Sequence, residues 1–123
     1  MKIAITGCGK VGTTIAAKLS QEKHDVIVID KDEKNMQYVN DTMDVLCICG
    51  DAASADTLIN ADVGSCDLFI AMTNSDETNI LSCHMAKKLG VDRTIARVRN
   101  KNLNRTIDLI KSDIGLSLAI NPD

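Results

Sequence analysis

Short β-branched runs alternate with longer amphipathic segments along the whole chain, and this alternation restricts the fold more than any other feature. "KIAIT" (2–6), "DVIVID" (25–30), "DVLCICGD" (44–51), "DLFIAMT" (67–73), "TIARVR" (94–99) and "GLSLAI" (115–120) read as strands. Five segments with helical spacing lie between them, at 10–22, 31–41, 54–62, 74–90 and 100–113. Val11, Ile15 and Leu19 recur every four residues in the first, and Leu103, Ile107 and Ile110 share a side in the last. Ser54 is placed to cap the third and Asn74 with Glu77 the fourth, which Gly90 stops. Asn121-Pro122 ends the pattern. Strict strand–helix alternation requires parallel strands with helices on both faces, joined by right-handed crossovers. The expectation is an α/β, doubly wound parallel sheet of about six strands, order 3-2-1-4-5-6, forming a single domain over residues 1–123.

Such a sheet needs an aliphatic core. Apolar residues make up 45% of the chain, yet there is one Phe, one Tyr and no Trp, so Ile, Val, Leu, Met and Ala must fill it. The net charge of −3, with no basic tract, excludes long-range attraction to nucleic acid or an anionic membrane. Five cysteines, none in a C-x-x-C pair, argue for reduced thiols. Cys47 and Cys49 share a strand face, but a metal needs at least two further ligands and only His24 and His84 are on offer, so no metal site is expected. "MKIAIT" enters a strand at once, and no apolar stretch is long enough to span a bilayer. The expectation is a cytoplasmic protein without direct membrane insertion, reaching the membrane only through a partner.

Gly7, Gly9 and Gly12 form G-x-G-x-x-G between the first strand and the first helix, the context in which the motif binds dinucleotides in a Rossmann-like sheet. Gly7 permits the tight turn, Gly9 lets a pyrophosphate approach the backbone, and Gly12 lets helix pack on sheet. The helix start then offers free N–H groups and a favourable dipole. Asp30 closes the second strand, where a carboxylate accepts both ribose hydroxyls and repels a 2′-phosphate, favouring NAD over NADP; Lys31 beside it softens that repulsion. Lys10 either meets phosphate oxygens or is an exposed first-turn lysine. Gly50-Asp51-Ala52 lies near the adenine position or is a plain turn. Thr73-Asn74-Ser75 adjoins the switch between strands one and four, where ligands bind, and can cap the next helix as well. Arg97 and Arg99 fall on one side of the fifth strand; a phosphate or a carboxylate can answer Arg97, and a carboxylate is the better answer for Arg99. Cys8 sits where a helix N-terminus lowers a thiol pKa, which leaves a redox role open.

"MKIAITGCGKVG", "VIVID", "GDA", "MTNSDETN" and "ARVRN", in this order and spacing, resemble the N-terminal NAD-binding domain of Trk-type potassium-uptake regulatory proteins, within the wider group of RCK or KTN domains. The resemblance covers essentially the whole chain, and "TNSDETN" followed by "ARVRN" is its most specific part. It implies a dinucleotide loop at Gly7, Cys8, Gly9, Lys10, Val11 and Gly12, a ribose acid at Asp30 flanked by Lys31, and adenine neighbours at Asp51 and Ala52. It also implies a loop over the ligand's centre at Thr73 and Asn74, and a phosphate-contacting Arg97. The ligands implied are NAD or NADH, and ATP or ADP. The partner implied is a membrane potassium transporter subunit at the inner face of the cell membrane. Many family members continue into a crossover helix and a C-terminal lobe, whereas this sequence stops at Asp123 and lacks that lobe.

Two functions follow: a regulatory nucleotide sensor that is not an enzyme, or an NAD-dependent oxidoreductase or a fragment of one. An oxidoreductase needs a substrate domain and a proton shuttle. His84 lies mid-helix, about 15 Å along from the crevice, and is a poor shuttle. Segments missing after Asp123 would leave apolar surface uncovered, so a homodimer or higher oligomer is expected. Light scattering at high protein concentration should give at least twice the chain mass; a strict monomer refutes this.

Overall fold

A computed structural model describes residues 1–121. Pro122, expected to close the chain, lies outside the described residues. The elements are β1 (Lys2–Thr6), α1 (Lys10–Gln21), β2 (Asp25–Asp30), α2 (Glu33–Thr42), β3 (Leu46–Cys49), α3 (Ala55–Asn60), β4 (Leu68–Ala71), α4 (Asp76–Leu89), β5 (Arg93–Arg97), α5 (Asn104–Ile114) and β6 (Leu118–Ile120). Short 3₁₀ turns occupy Val63–Ser65 and Lys101–Leu103. The six strands are all parallel, in the order β3-β2-β1-β4-β5-β6. This is the expected doubly wound, Rossmann-like sheet.

Period-two alternation sorts the core into two layers. Ile3, Ile5, Val26, Val28, Ile70 and Met72 face α1 and α2, where they meet Ala16, Met36 and Val39. Ala4, Ile27, Ile29, Phe69 and Ala71 face the other way, against Leu58 of α3, Cys83 and Ala86 of α4, and Ile107 of α5. Full burial of side chains such as Ile3, Ile5 and Phe69 contributes about 1.5–3 kcal/mol each. The sheet is less covered toward β6, where Leu118 is 52% exposed and Ile120 is half-buried.

Several boundaries fall inside the expected ones. β4 stops at Ala71 because its partner β1 ends at Thr6; the Met72 N–H donates to the Thr6 carbonyl at 2.7 Å, and both chains then turn away. β5 stops at Arg97, so Arg99 lies beyond the strand. α2 begins at Glu33 because the Asp32 carboxylate caps it, accepting from the Lys34 and Asn35 N–H groups. The cap of α4 is Ser75, whose hydroxyl accepts from the Thr78 N–H at 3.1 Å, one residue later than expected. Ser54 precedes α3 as expected, but its side chain makes no capping bond.

The junction of β1, α1 and β4 is built of backbone against backbone. Gly7 has φ +88°, and a Cβ there would lie 2.6 Å from the Met72 carbonyl carbon and the Thr73 nitrogen. A Cβ on Gly12 would overlap the Gly7 carbonyl oxygen. Gly7→Ala and Gly12→Ala should each cost about 2 kcal/mol or more, from overpacking and, at Gly7, left-handed strain. Urea denaturation monitored by circular dichroism checks this; midpoints equal to wild type would show that the junction relaxes freely.

Candidate nucleotide-binding site

Parallel strands bring the C-terminal ends of β1, β2, β3 and β4 to one edge, and a crevice of about 380 Å³ opens there, within the range of small-molecule sites, about 300–1,000 Å³. Gly7, Cys8, Gly9, Asp30, Lys31, Asp51, Ala52, Thr73 and Asn74 all line it, with Ile29, Asp32, Asn35, Gly50, Met72, Ser75 and Thr78. Four expected residues do not. Lys10 is exposed at the first position of α1. Val11 packs into the α1–α2 core layer. Gly12 serves the contact with Gly7. Arg97 is nine-tenths buried, with Nη1 3.5 Å from the Met72 carbonyl oxygen it donates to.

Four helices follow these strands from this edge, and their N-termini differ; α3 lacks a side-chain cap but has Asp56 in its first turn. α2 is capped by Asp32 and has Glu33 in its first turn; α4 is capped by Ser75 and has Asp76 and Glu77. α1 starts at Gly9 with no side-chain cap and no acid in its first turn. Its N–H groups and the positive end of its dipole are the best seat for an anion. A Cβ on Gly9 would meet nothing within 4 Å, so the space beside this backbone is open to a ligand.

Asp30 is held in place before any ligand arrives. Its Oδ2 accepts from the Cys8 N–H at 2.7 Å and from Asn35 Nδ2 at 3.3 Å, and its Oδ1 accepts from the Asp32 N–H at 2.9 Å. The carboxylate therefore braces the glycine loop as well as facing the crevice, a role absent from the sequence reading. Its remaining lone pairs suit ribose hydroxyls. Asp32 and Asp51 share the wall, so a 2′-phosphate would meet three carboxylates and Lys31. The Asp51 carboxylate also accepts from the Ala53 N–H at 2.9 Å, so this loop is a tight turn at the crevice wall.

Thr73 is more committed than its sequence position suggested. Its hydroxyl donates to Asn79 Oδ1 at 2.6 Å and accepts from the Ser75 N–H at 3.2 Å. With the Ser75 hydroxyl spent on capping α4, Asn74 and Thr78 are the polar side chains left to meet a ligand on this wall. Arg99 Nη2 donates to the Asn74 carbonyl at 3.0 Å. His84 accepts no place at the crevice: its Nδ1 lies 3.1 Å from the Ile114 carbonyl oxygen, between α4 and the end of α5. Among the described residues, no group of three or more His, Cys, Asp or Glu side chains gathers to hold a metal.

The family model for the TrkA-N domain matches residues 3–122. The chain belongs to the TrkA-N family. It is 32% identical over all its 123 residues to a Trk system potassium uptake protein TrkA homologue of Methanothermobacter thermautotrophicus, covering 55% of that protein. It is 33% identical to the Trk system potassium uptake protein TrkA of Haemophilus influenzae, covering 28% of it. This TrkA-N domain thus spans from roughly a quarter to about half of these relatives. Among solved structures, the TrkA-N domain of the inner membrane protein ybaL from Escherichia coli superposes with a TM-score of 0.84 at 16% identity, covering 98% of this chain and 87% of that one. The GsuK channel bound to NAD superposes with a TM-score of 0.80 at 20% identity, covering 97% and 21%; GsuK bound to ADP gives 0.79, covering 98% and 31%. These likenesses extend the fold. No helix among the described residues is long and apolar enough to cross a membrane.

The thiols of this TrkA-N domain divide by burial. Burial first, then the Asp30 carboxylate and Cys47, push the Cys8 thiol up to about 12. Burial pushes Cys83 up to about 12, against hydrogen bonds that lower it. The helix N-terminus does not activate Cys8, and the redox reading loses its physical basis. Cys49 is exposed. Iodoacetamide should alkylate Cys49 first and leave Cys8 and Cys83 unmodified in the folded protein, as intact-mass and peptide spectra would show. Both thiols sit above the unfolded value of about 9, so their contribution is full below that pH. It is lost as pH rises from about 9 toward about 12. Stability should fall across that window, and replacing Cys83 by Ala should flatten the fall.

Proposed function

We propose that this domain is a non-enzymatic sensor that binds NAD or NADH, or ADP or ATP, and passes occupancy to a membrane potassium transporter. The observation that carries it is the pairing, in one crevice, of an uncapped helix start with open space over Gly9 and a braced carboxylate at Asp30. That pairing provides a phosphate seat and a ribose acceptor side by side. The potassium-uptake names of the relatives support the transporter, and the NAD- and ADP-bound GsuK structures support the ligand class. The exposed Leu118, beside half-buried Ile95 and Ile120, supports assembly as a dimer or larger. This reading puts its site of action in the cytoplasm, at the inner face of the membrane through its partner.

A sensor requires a ligand that favours one conformation, not a proton shuttle. His84 is engaged away from the crevice, which favours this reading over an oxidoreductase. Calorimetry should show adenine nucleotides with a free 2′-hydroxyl binding, and NADP binding at least about tenfold more weakly. Gly9→Val should cost about 1 kcal/mol of stability or less, yet lower nucleotide affinity by about tenfold or more. Asp30→Ala should lower it by about tenfold to a hundredfold, since bonds to a charged acceptor are lost. No nucleotide binding to wild type, or NADH turnover with added acceptors, defeats the proposal.

A further inference from the structure

Asn79 is fully buried in α4, where helix propensity gives no reason for an amide and burial without partners is costly. It has four partners. Oδ1 accepts from the Thr73 N–H at 2.9 Å and the Thr73 hydroxyl at 2.6 Å; Nδ2 donates to the Thr73 carbonyl at 3.1 Å and the Arg97 carbonyl at 2.9 Å. An amide has two acceptor sites and two donors, and all are used. The orientation is fixed, because the Thr73 N–H requires an acceptor and the Arg97 carbonyl a donor.

A second anchor lies one turn earlier. The mostly buried Asp76 carboxylate accepts from the Arg99 N–H at 3.0 Å and the Asn100 N–H at 2.8 Å. Arg99 returns a bond to the Asn74 carbonyl. Residues 73–75 line the crevice, while Asn100 leads through the Lys101–Leu103 turn into α5. Neither Asn79 nor Asp76 lines the crevice itself.

We propose that Asn79, with Asp76 as second anchor, is a positioning residue that locks the crevice segment Thr73–Ser75 to the segment Arg97–Asn100, so that nucleotide occupancy is carried to the start of α5. The inference rests on the nucleotide-binding reading above. The Asn79 side chain spans the two loops, and Asp76, next to Ser75 in the chain, ties the start of α4 to Arg99 and Asn100, so a shift of Thr73 on binding displaces Arg97 and Asn100 or breaks buried hydrogen bonds. Asn79→Asp keeps the shape and both acceptor bonds but removes the donors to the two carbonyls. Asp76→Asn keeps one acceptor and turns a donor toward the other N–H.

Hydrogen exchange read by mass spectrometry tests this on the full chain. It uses saturating NADH or ADP, whichever calorimetry shows to bind wild type more tightly. In wild type, the nucleotide should slow exchange in 73–78 and in 98–104. In Asn79→Asp and Asp76→Asn, the protection of 98–104 should drop about fivefold or more, as expected for one lost buried bond, while that of 73–78 persists. A merely structural role would not move this ligand-dependent difference. A variant with native circular dichroism that no longer takes up nucleotide overturns the proposal, because the protection of 73–78 would not persist. If Asn79→Asp does not fold, Asp76→Asn and Arg99→Ala decide alone. Wild-type protection confined to 73–78, or equal protection of 98–104 in the variants, overturns the coupling and leaves nucleotide binding standing. No nucleotide binding to wild type overturns both.

Discussion

Everything at the crevice depends on the close approach of three backbones where β1 ends. Gly12 leaves room for the Gly7 carbonyl, and Gly7 leaves room for the chain at Met72 and Thr73. With no side chains between them, the first turn of α1 sits directly above the end of β1 and beside the end of β4. The helix start is thus aimed into the crevice by covalent geometry and packing, not by a flexible side chain. The Cys8 N–H, donating to Asp30, fixes the same loop from the β2 side. On the proposed reading this is a phosphate seat organised before a ligand arrives, which would reduce the ordering cost of binding.

The electrostatics around that seat have a direction. The starts of α2 and α4 are satisfied by Asp32 and Ser75 and carry acids in their first turns, while the start of α1 has neither. An elongated anion with a sugar at one end has one favourable orientation. On the proposed reading its phosphates would lie over Gly9 and its ribose would face Asp30, with its far end toward Asn74. Lys10, for which a phosphate contact and an exposed first-turn lysine were both open, is exposed at the first position of α1.

The sheet order was readable because alternation leaves few topologies, and the crevice because Gly7, Gly9, Gly12 and Asp30 have their roles through backbone position. Residues that act through tertiary contact were not readable. Asn79 looks like a solvated polar position on an amphipathic helix; only the depth of α4 against β5 shows it buried. Arg97 lies on an apolar strand, and its side chain lies against the Met72 carbonyl because β4 ends two residues earlier than the apolar run implied. The α4 cap is Ser75 and not Asn74 because the Ser75 hydroxyl is the one that reaches the Thr78 N–H. Asp30 was legible as a candidate ribose acceptor, but its bond to the Cys8 N–H depends on two loops meeting in space, which no local spacing encodes.

The two walls of the crevice are braced differently, and this bears on how a bound nucleotide becomes a signal. On one side Asp30 ties β2 to the glycine loop; on the other Asn79 and Asp76 tie the β4 loop to the end of β5. On the proposed reading, ADP seated by its ribose and phosphates would engage the first wall and the α1 start. NADH, longer past the pyrophosphate, would reach the second wall as well. Two ligands sharing an adenosine then differ in whether they bridge the walls, and a ligand shifts a conformational equilibrium only through such differential contact. Discrimination between them need not come from the adenosine site at all. It can arise where the chain spends its buried polar bonds, around Thr73, so affinity and signalling strength can be separated by residues that never touch the ligand.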